Sequence, residues 1–384
     1  MPAPNYNGRT VWLPHLNRLR AGDILLTRSV YDDEAGGTKQ AKLIRAVSGG
    51  PFEHAAICIA PPTFAEAGGG DEGGVFTLSM SRCFAHDLQN VCVLRWPDEE
   101  TALKAAQFCQ LQVGRSYSTI KAIASIVPLD ILKTDRGVFC SSLVAHAYKL
   151  ADPIAFEQLR PDKISPVGLS KLEGFRDVTD ELFHAGPAPR NVETMNALDG
   201  KSAPSPADMQ TFITKDYAKA LIPWSDQFVE AFPEAELERP ETFYGFLAFL
   251  PLAYDAIVKV AQERHQDYSD ALFALDDRAA DVLEDRRLSS NMNRIIEIDR
   301  TELRRTIAES HKSDPDIDLQ HISGLVRARR ETLVKRHAAA ASFAKYEKDF
   351  DSIRLWNALQ NTVTREIEQA MVEHQRILER CRPS

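Results

Sequence analysis

The sequence lacks several features that would assign its class at once. Its six cysteines (Cys58, Cys83, Cys92, Cys109, Cys140 and Cys381) form no C-x-x-C pair. That excludes zinc-ribbon spacing and makes a disulfide scaffold a poor reading, so neither a metal nor a cofactor is expected. Long apolar runs are missing too. The longest, Phe243 to Tyr254, has 12 residues and contains Pro251, too few to span a bilayer. The opening stretch, MPAPNYNGRTVWLPHL, has no basic segment followed by an apolar core and does not read as a secretory signal. The expectation is a cytoplasmic protein, with delivery by a route other than a signal peptide left open. Basic excess is also absent, since the formal net charge is −9. Residues 1–180 carry 19 basic and 20 acidic side chains and the remainder 27 and 35. The acidity therefore lies in the C-terminal half, and nucleic acid is not an expected partner.

What is present is a chain of 384 residues, 44% apolar and 26% charged, enough for two domains. The first half mixes strands and helices. Ile24–Thr27, His54–Ala60, Thr63–Ala67, Val75–Met80 and Val91–Trp96 read as strands, with a last short one near Phe175–Val178. Asp98 caps a helix expected over Glu99–Val113, with Gly114 just beyond it. Short helices are expected at Lys39–Val47 and Ile120–Leu132, and another over 141–150. Residues 183–208, rich in Pro, Ala, Gly and Ser, read as a linker. Beyond it the pattern is almost wholly helical. Ile353, Trp356, Val363, Ile367, Ala370 and Ile377 step at three and four residues along one amphipathic helix, and 278–309 and 321–350 suggest two more. The expected organisation is α+β over 1–182, a linker over 183–208, and an all-α bundle or coiled-coil hairpin over 209–384.

The chemistry centres on DRGVFCSSLVAHAYKL, residues 135–150. Cys140 falls where a loop gives way to a helix. There the positive end of the helix dipole and the unpaired N–H groups favour a thiolate, and the same groups can hold an oxyanion. A cysteine at the head of an apolar helix is equally a core thiol, because free Cys is among the most buried residue types. A nucleophile needs a base. His146 is six residues along the same helix, about 9 Å of rise and roughly 240° round from Cys140, so it cannot serve. His54, at the head of the apolar strand HAAICIA, is the better candidate, with a structural role as the alternative. His86, beside Asp87, is a weaker rival. His15 and His184 lie in loops without a supporting pattern. Cys58, Cys83, Cys92 and Cys109 fall in apolar patterns and read as core.

Several pieces then occur in a recognisable order: AGDILL (21–26), FEHAAI (52–57), FAEA (64–67), GV (74–75), GRSYS (114–118), FCSSLV (139–144) and SPVGL (165–169). Together they resemble the circularly permuted papain-like amidases and acyltransferases, the permuted branch of the NlpC-type cell-wall peptidase superfamily. The resemblance covers residues 20–180, and the helical half is outside it. It implies a permuted papain-like domain with a small antiparallel sheet or barrel and a nucleophile helix. Cys140 would be the nucleophile, His54 the base and Glu66 the residue that orients the imidazole. Tyr117 and Ser141 would contact substrate, although Tyr117 also reads as a core tyrosine and Ser141 and Ser142 as helix-capping residues.

Glu66 raises a difficulty of register. A plain hairpin turning on Pro61-Pro62 pairs Ala60 with Thr63 and turns Glu66 away from the His54 face; an odd-length loop or a bulge would bring it back. Glu53, adjacent to His54 in an extended strand, must face the other way.

The implied activity is two-step acyl transfer from an amide, ester or thioester carbonyl through a thioester acyl-enzyme. Relatives divide between peptide amides, cell-wall peptides included, and lipid acyl groups. The expected partner is thus a peptide or a lipid-acyl small molecule. The apolar run Tyr244–Tyr254 suits either a buried bundle core or peripheral contact with a membrane. The alternative function is a catalytically silent papain-like scaffold whose C-terminal helices self-associate or bind a protein partner.

Overall fold

The computed structural model describes residues 9–28, 51–68, 74–114, 139–188, 195–200, 206–264, 269–311 and 319–381. It divides into two compact units, residues 1–208 with 315–328, and residues 209–314 with 329–384.

The first unit is mixed α and β. Its principal sheet is antiparallel and six-stranded, built from β2 (Ile24–Thr27), β3 (His54–Ala60), β4 (Thr63–Gly68), β5 (Gly74–Ser79), β7 (Val91–Arg95) and β8 (Arg176–Asp177) in the order β5-β4-β3-β2-β7-β8. Two small pairings flank it. Strand β1 (Thr10–Pro14) runs antiparallel to β9 (Phe183–Pro187), and β6 (Cys83–Phe84) runs parallel to β10 (Asn196–Ala197). Helices α1 (Glu99–Leu111) and α2 (Cys140–Ala151) pack together beside the sheet, and α3 (Pro166–Ser170) and α4 (Thr179–Leu182) are short.

The central strands read as continuous apolar runs because both of their faces are covered. Ile24, Leu26, Ala55, Ile57 and Ala65 share a core with Cys109, Leu143, Val144 and Ala147 of the two helices. Leu25, Ala56, Cys58, Phe64 and Val93 belong to a second core with Leu16, Leu19, Val178, Leu182 and Phe183. An alternating pattern would expose one face, and these strands have none to expose.

Asp98 caps α1 by accepting from the Thr101 amide at 2.8 Å. Gly22, with φ +89°, cannot be replaced by a larger residue, since a Cβ there would lie 2.6 Å from the Ala102 Cβ. Its carbonyl accepts from the Tyr148 hydroxyl at 2.6 Å, which ties the start of β2 to α2. The neighbouring Asp23, 1% exposed, accepts both arms of the Arg95 guanidinium at 2.7 Å as well as the Arg20 amide. The backbone bond closes the turn before β2, and a bidentate ion pair accompanies it.

The segment expected as a linker is corrected over 183–188 and 195–200. Phe183–Pro187 pairs with Thr10–Pro14 in full register, and Asp199 is 0% exposed. Small-residue composition signalled a loop, whereas pairing with a strand some 170 positions earlier makes this stretch part of the first unit. The extent of the helical domain expected over 209–384 also needs correction. Residues 315–328 group with the first unit, where Gly324 backs onto Leu16 and the Arg327 guanidinium donates to the Asn17 carbonyl at 2.9 Å.

The rest is helical: α5 (Pro206–Ala231), α6 (Phe243–Arg264), α7 (Ser269–Asp285), α8 (Leu288–His311), α9 (Leu319–Ala344) and α10 (Asp351–Arg380). The single helix expected over 278–309 is two, because the chain breaks where Arg287 adopts φ +54°. The apolar run of α6 is core: Phe243, Phe246, Leu247, Leu250 and Ala253 are all buried with Leu272, Leu283 and Trp356. No helix among the described residues is long and apolar enough to cross a membrane. The residue before helix α10 is Phe350, which has no side chain able to cap it. Asp276 of α7 acts instead, accepting from the Asp351 and Ser352 amides at 2.6 and 3.2 Å and from the Ser352 hydroxyl.

Candidate functional site

Cys140 and His54 each open a secondary-structure element, Cys140 the helix α2 and His54 the strand β3. The residue before the helix is Phe139, which caps nothing. A Ser, Thr, Asp or Asn there would add about 1 kcal/mol by accepting a first-turn N–H. Phe139 supplies no such acceptor to the first-turn N–H groups around Cys140.

Glu66 reaches His54 because the hairpin is irregular. Ala60 pairs with Thr63 as a plain turn dictates, but the register then shifts, and Cys58 pairs with Phe64 and Ala56 with Glu66. One extra residue on β3, at Ile59, moves Glu66 onto the face that carries Ala56 and His54. The outcome is a contact of 2.8 Å between Glu66 Oε2 and His54 Nε2. The two side chains are 26% and 31% exposed, shielded but reachable.

With Nε2 facing the carboxylate, Nδ1 is the nitrogen left for the thiol. Burial favours the neutral imidazole. Hydrogen bonds with Cys140 and Glu66, reinforced by the negative charge of each, outweigh it and hold His54 well above its ordinary value. Cys140 is 6% exposed. The arrangement favours a protonated imidazole between a carboxylate and a sulfur.

The other cysteines in this unit share the burial of Cys140. Cys58, Cys83, Cys92 and Cys109 are all buried. Burial, with Asp177 beside it, pushes the Cys92 thiol up to about 12, and burial alone pushes Cys109 up. His146 lies against Asp162 on the exposed side of α2, with 3.5 Å between Nε2 and Oδ1. His15 and His184 stack on each other with centroids 4.4 Å apart.

Two expected roles change. Ser141, expected to contact substrate, is 1% exposed and donates its hydroxyl to the Ile164 carbonyl at 2.7 Å. That bond fastens the SPVGL segment against α2. Within the segment, Ser165 caps α3 by accepting from the Gly168 amide at 3.1 Å. Neither Ser141 nor Ser142 caps the head of α2, and the Ser142 hydroxyl is buried with no hydrogen-bond partner among the described residues. Tyr117, like the helices expected at Lys39–Val47 and Ile120–Leu132, lies outside the described residues.

Sequence reading missed Asp199. It accepts from the His86 amide at 2.9 and 3.1 Å, His86 Nδ1 at 2.8 Å, the Asp87 amide at 3.0 Å and Asn90 Nδ2 at 3.2 Å. No local signal marks it, since its partners are more than a hundred residues away. No family model, no curated protein and no solved structure matches this chain.

Proposed function

We propose that the first unit is a cysteine hydrolase or acyltransferase of permuted papain-like build, acting on an amide, ester or thioester carbonyl. The observation that supports it best is the convergence on one imidazole of a helix-start thiol and a carboxylate carried to the right face by a strand bulge. In the reaction, His54 Nδ1 takes the thiol proton and the Cys140 sulfur attacks the carbonyl carbon. The oxyanion is held by the uncapped first-turn N–H groups of α2. His54 then gives its proton to the departing nitrogen, oxygen or sulfur, and the acyl group remains as a thioester. Water or an acceptor nucleophile, deprotonated by His54, releases the acid or the transferred product and restores the thiol. Glu66 keeps the ring oriented throughout. Substrate is either a peptide or a lipid-acyl molecule.

Cys381 supplies an internal control, being only partly exposed and placed in the second unit. Site-resolved mass spectrometry after brief iodoacetamide treatment at pH 6.5 should find Cys140 modified at least tenfold faster than Cys381. Equal rates would sink the enzyme reading in favour of a silent scaffold. Lipid and peptide profiles of cells expressing wild type against Cys140→Ala would then separate the two substrate classes.

A further inference from the structure

Helix α2 carries Cys140 in its first turn, yet that turn lacks the usual fastenings. Phe139, before it, has no side chain able to cap the helix. The Ser142 hydroxyl bonds nothing among the described residues. Helix ends without caps fray, because their first N–H groups have no partner within the helix. Helix α1, packed beside α2, is capped by Asp98.

The side chains of α2 reach backbone elsewhere in the unit mostly from its far end. Tyr148 donates to the Gly22 carbonyl at 2.6 Å, and Lys149 donates to the Leu159 carbonyl at 2.6 Å. At the head, among the described residues, one such bond exists, from the Ser141 hydroxyl to the Ile164 carbonyl at 2.7 Å. Ser141 is 1% exposed, so water does not compete for that bond. The acceptor is itself held. Ile164 belongs to the core that contains Cys140, Leu143 and Val144. The backbone of Gly168 closes over it so tightly that a Cβ there would lie 2.8 Å from Ile164 Cγ1.

We propose that Ser141 is a positioning residue for Cys140. Its bond to the Ile164 carbonyl does the work of the missing cap and keeps the first turn of α2 where the thiol meets His54. The proposal rests on reading Cys140 as a nucleophile. A turn free to open displaces the sulfur from the imidazole, and a misplacement of about 1 Å can cost about 10²-fold in rate. Ser141 acts through Cys140 and not on the substrate.

The test compares Ser141→Ala with Ser165→Ala in the full-length chain. The second variant removes a hydroxyl bond from the same segment, the cap of α3, and leaves the head of α2 braced. Brief iodoacetamide treatment, read site by site by mass spectrometry, should find Cys140 slowed at least tenfold by Ser141→Ala and much less by Ser165→Ala. The residual reaction in Ser141→Ala should rise with pH as that of Cys381 does, a change that lost stability alone would not produce. Hydrogen exchange on the wild-type chain decides the matter should Ser141→Ala not fold. The Leu143 amide, bonded to the Phe139 carbonyl at 2.9 Å, should exchange within tenfold of the Ala102 amide, which meets the Asp98 carbonyl at 3.1 Å in the capped helix. The proposal is overturned if Ser141→Ala slows Cys140 less than tenfold, if Ser165→Ala slows it equally, or if Leu143 exchanges more than tenfold faster than Ala102. A wild-type Cys140 that reacts no faster than Cys381 would instead overturn the nucleophile reading, and this proposal with it.

Discussion

The first unit contains two histidine–carboxylate pairs with the same separation, His54–Glu66 and His86–Asp199, each at 2.8 Å. In the first, the carboxylate meets Nε2 and the ring also engages a thiol. In the second, the carboxylate meets Nδ1, is 0% exposed, and also receives two backbone amides and the Asn90 side chain. Four donor groups hold Asp199 in place, and it fastens the 195–200 segment to residues 86–90. Glu66 is partly exposed and faces a ring with a second task. A histidine near a carboxylate is thus no sign of chemistry by itself. The third partner, and whether the carboxylate is saturated, separate an orienting group from a clasp.

The widest separation between the pairs should appear in thiol reactivity. His54→Ala is expected to slow iodoacetamide modification of Cys140 by about 10²-fold or more, the scale of a lost acid–base partner. His86→Ala should leave that rate within about twofold. Equal effects, read by the same mass-spectrometric assay, would mean that the first pair is as structural as the second.

Stability should rank them the other way. Asp199→Ala strands several buried donors, each costing about 1–3 kcal/mol and not fully additive, so a loss of roughly 3–5 kcal/mol is expected for the first unit. Glu66→Ala, at a partly exposed pair, should cost about 1 kcal/mol or less. Urea denaturation followed by far-UV circular dichroism measures both. A larger loss for Glu66→Ala would reverse the roles assigned here.

The difference between the pairs was only half legible in the sequence. The strands bearing His54 and Glu66 read clearly, the first as an apolar run buried on both faces and the second from its apolar residues after Pro61-Pro62. The helix beginning at Cys140 was readable from its apolar spacing, and helix geometry alone removed His146. The bulge at Ile59 was not readable. Nothing in Ala-Ile-Cys-Ile-Ala distinguishes a regular ladder from one that slips by a residue, although the slip decides where Glu66 points. Asp199 was hidden for another reason. Its neighbours in sequence have the composition of a linker, and its partners are brought to it by long-range pairing of β1 with β9 and of β6 with β10. The break at Arg287 was masked by a charge pattern that continues smoothly through it. The expectation that Ser141 faces substrate failed because its acceptor, the Ile164 carbonyl, is a backbone atom and leaves no mark in the side-chain pattern.

The smallest effect is also the most discriminating, because the two pairs should depend on pH with opposite sign. His54 is held above its ordinary value once its partners outweigh burial. It therefore contributes stability in full below the unfolded histidine value of about 6.5, and that contribution fades as pH rises through the raised folded value. Asp199 runs the other way. Burial opposes its charge, but the hydrogen bonds from His86, Asp87 and Asn90 prevail and hold it below the ordinary aspartate value. Its contribution is present above the unfolded value of about 3.9 and is lost as pH falls through the depressed one. Subtracting the pH–stability curve of Glu66→Gln from wild type should give a difference that is largest between about pH 5 and 6.5 and shrinks toward alkaline pH. The curve for Asp199→Asn should instead hold level across that range and close only in acid. Two difference curves that change with pH in the same direction would show that the imidazolium at His54 is not stabilised by the groups around it, and the proposed activation of Cys140 would lose its physical basis.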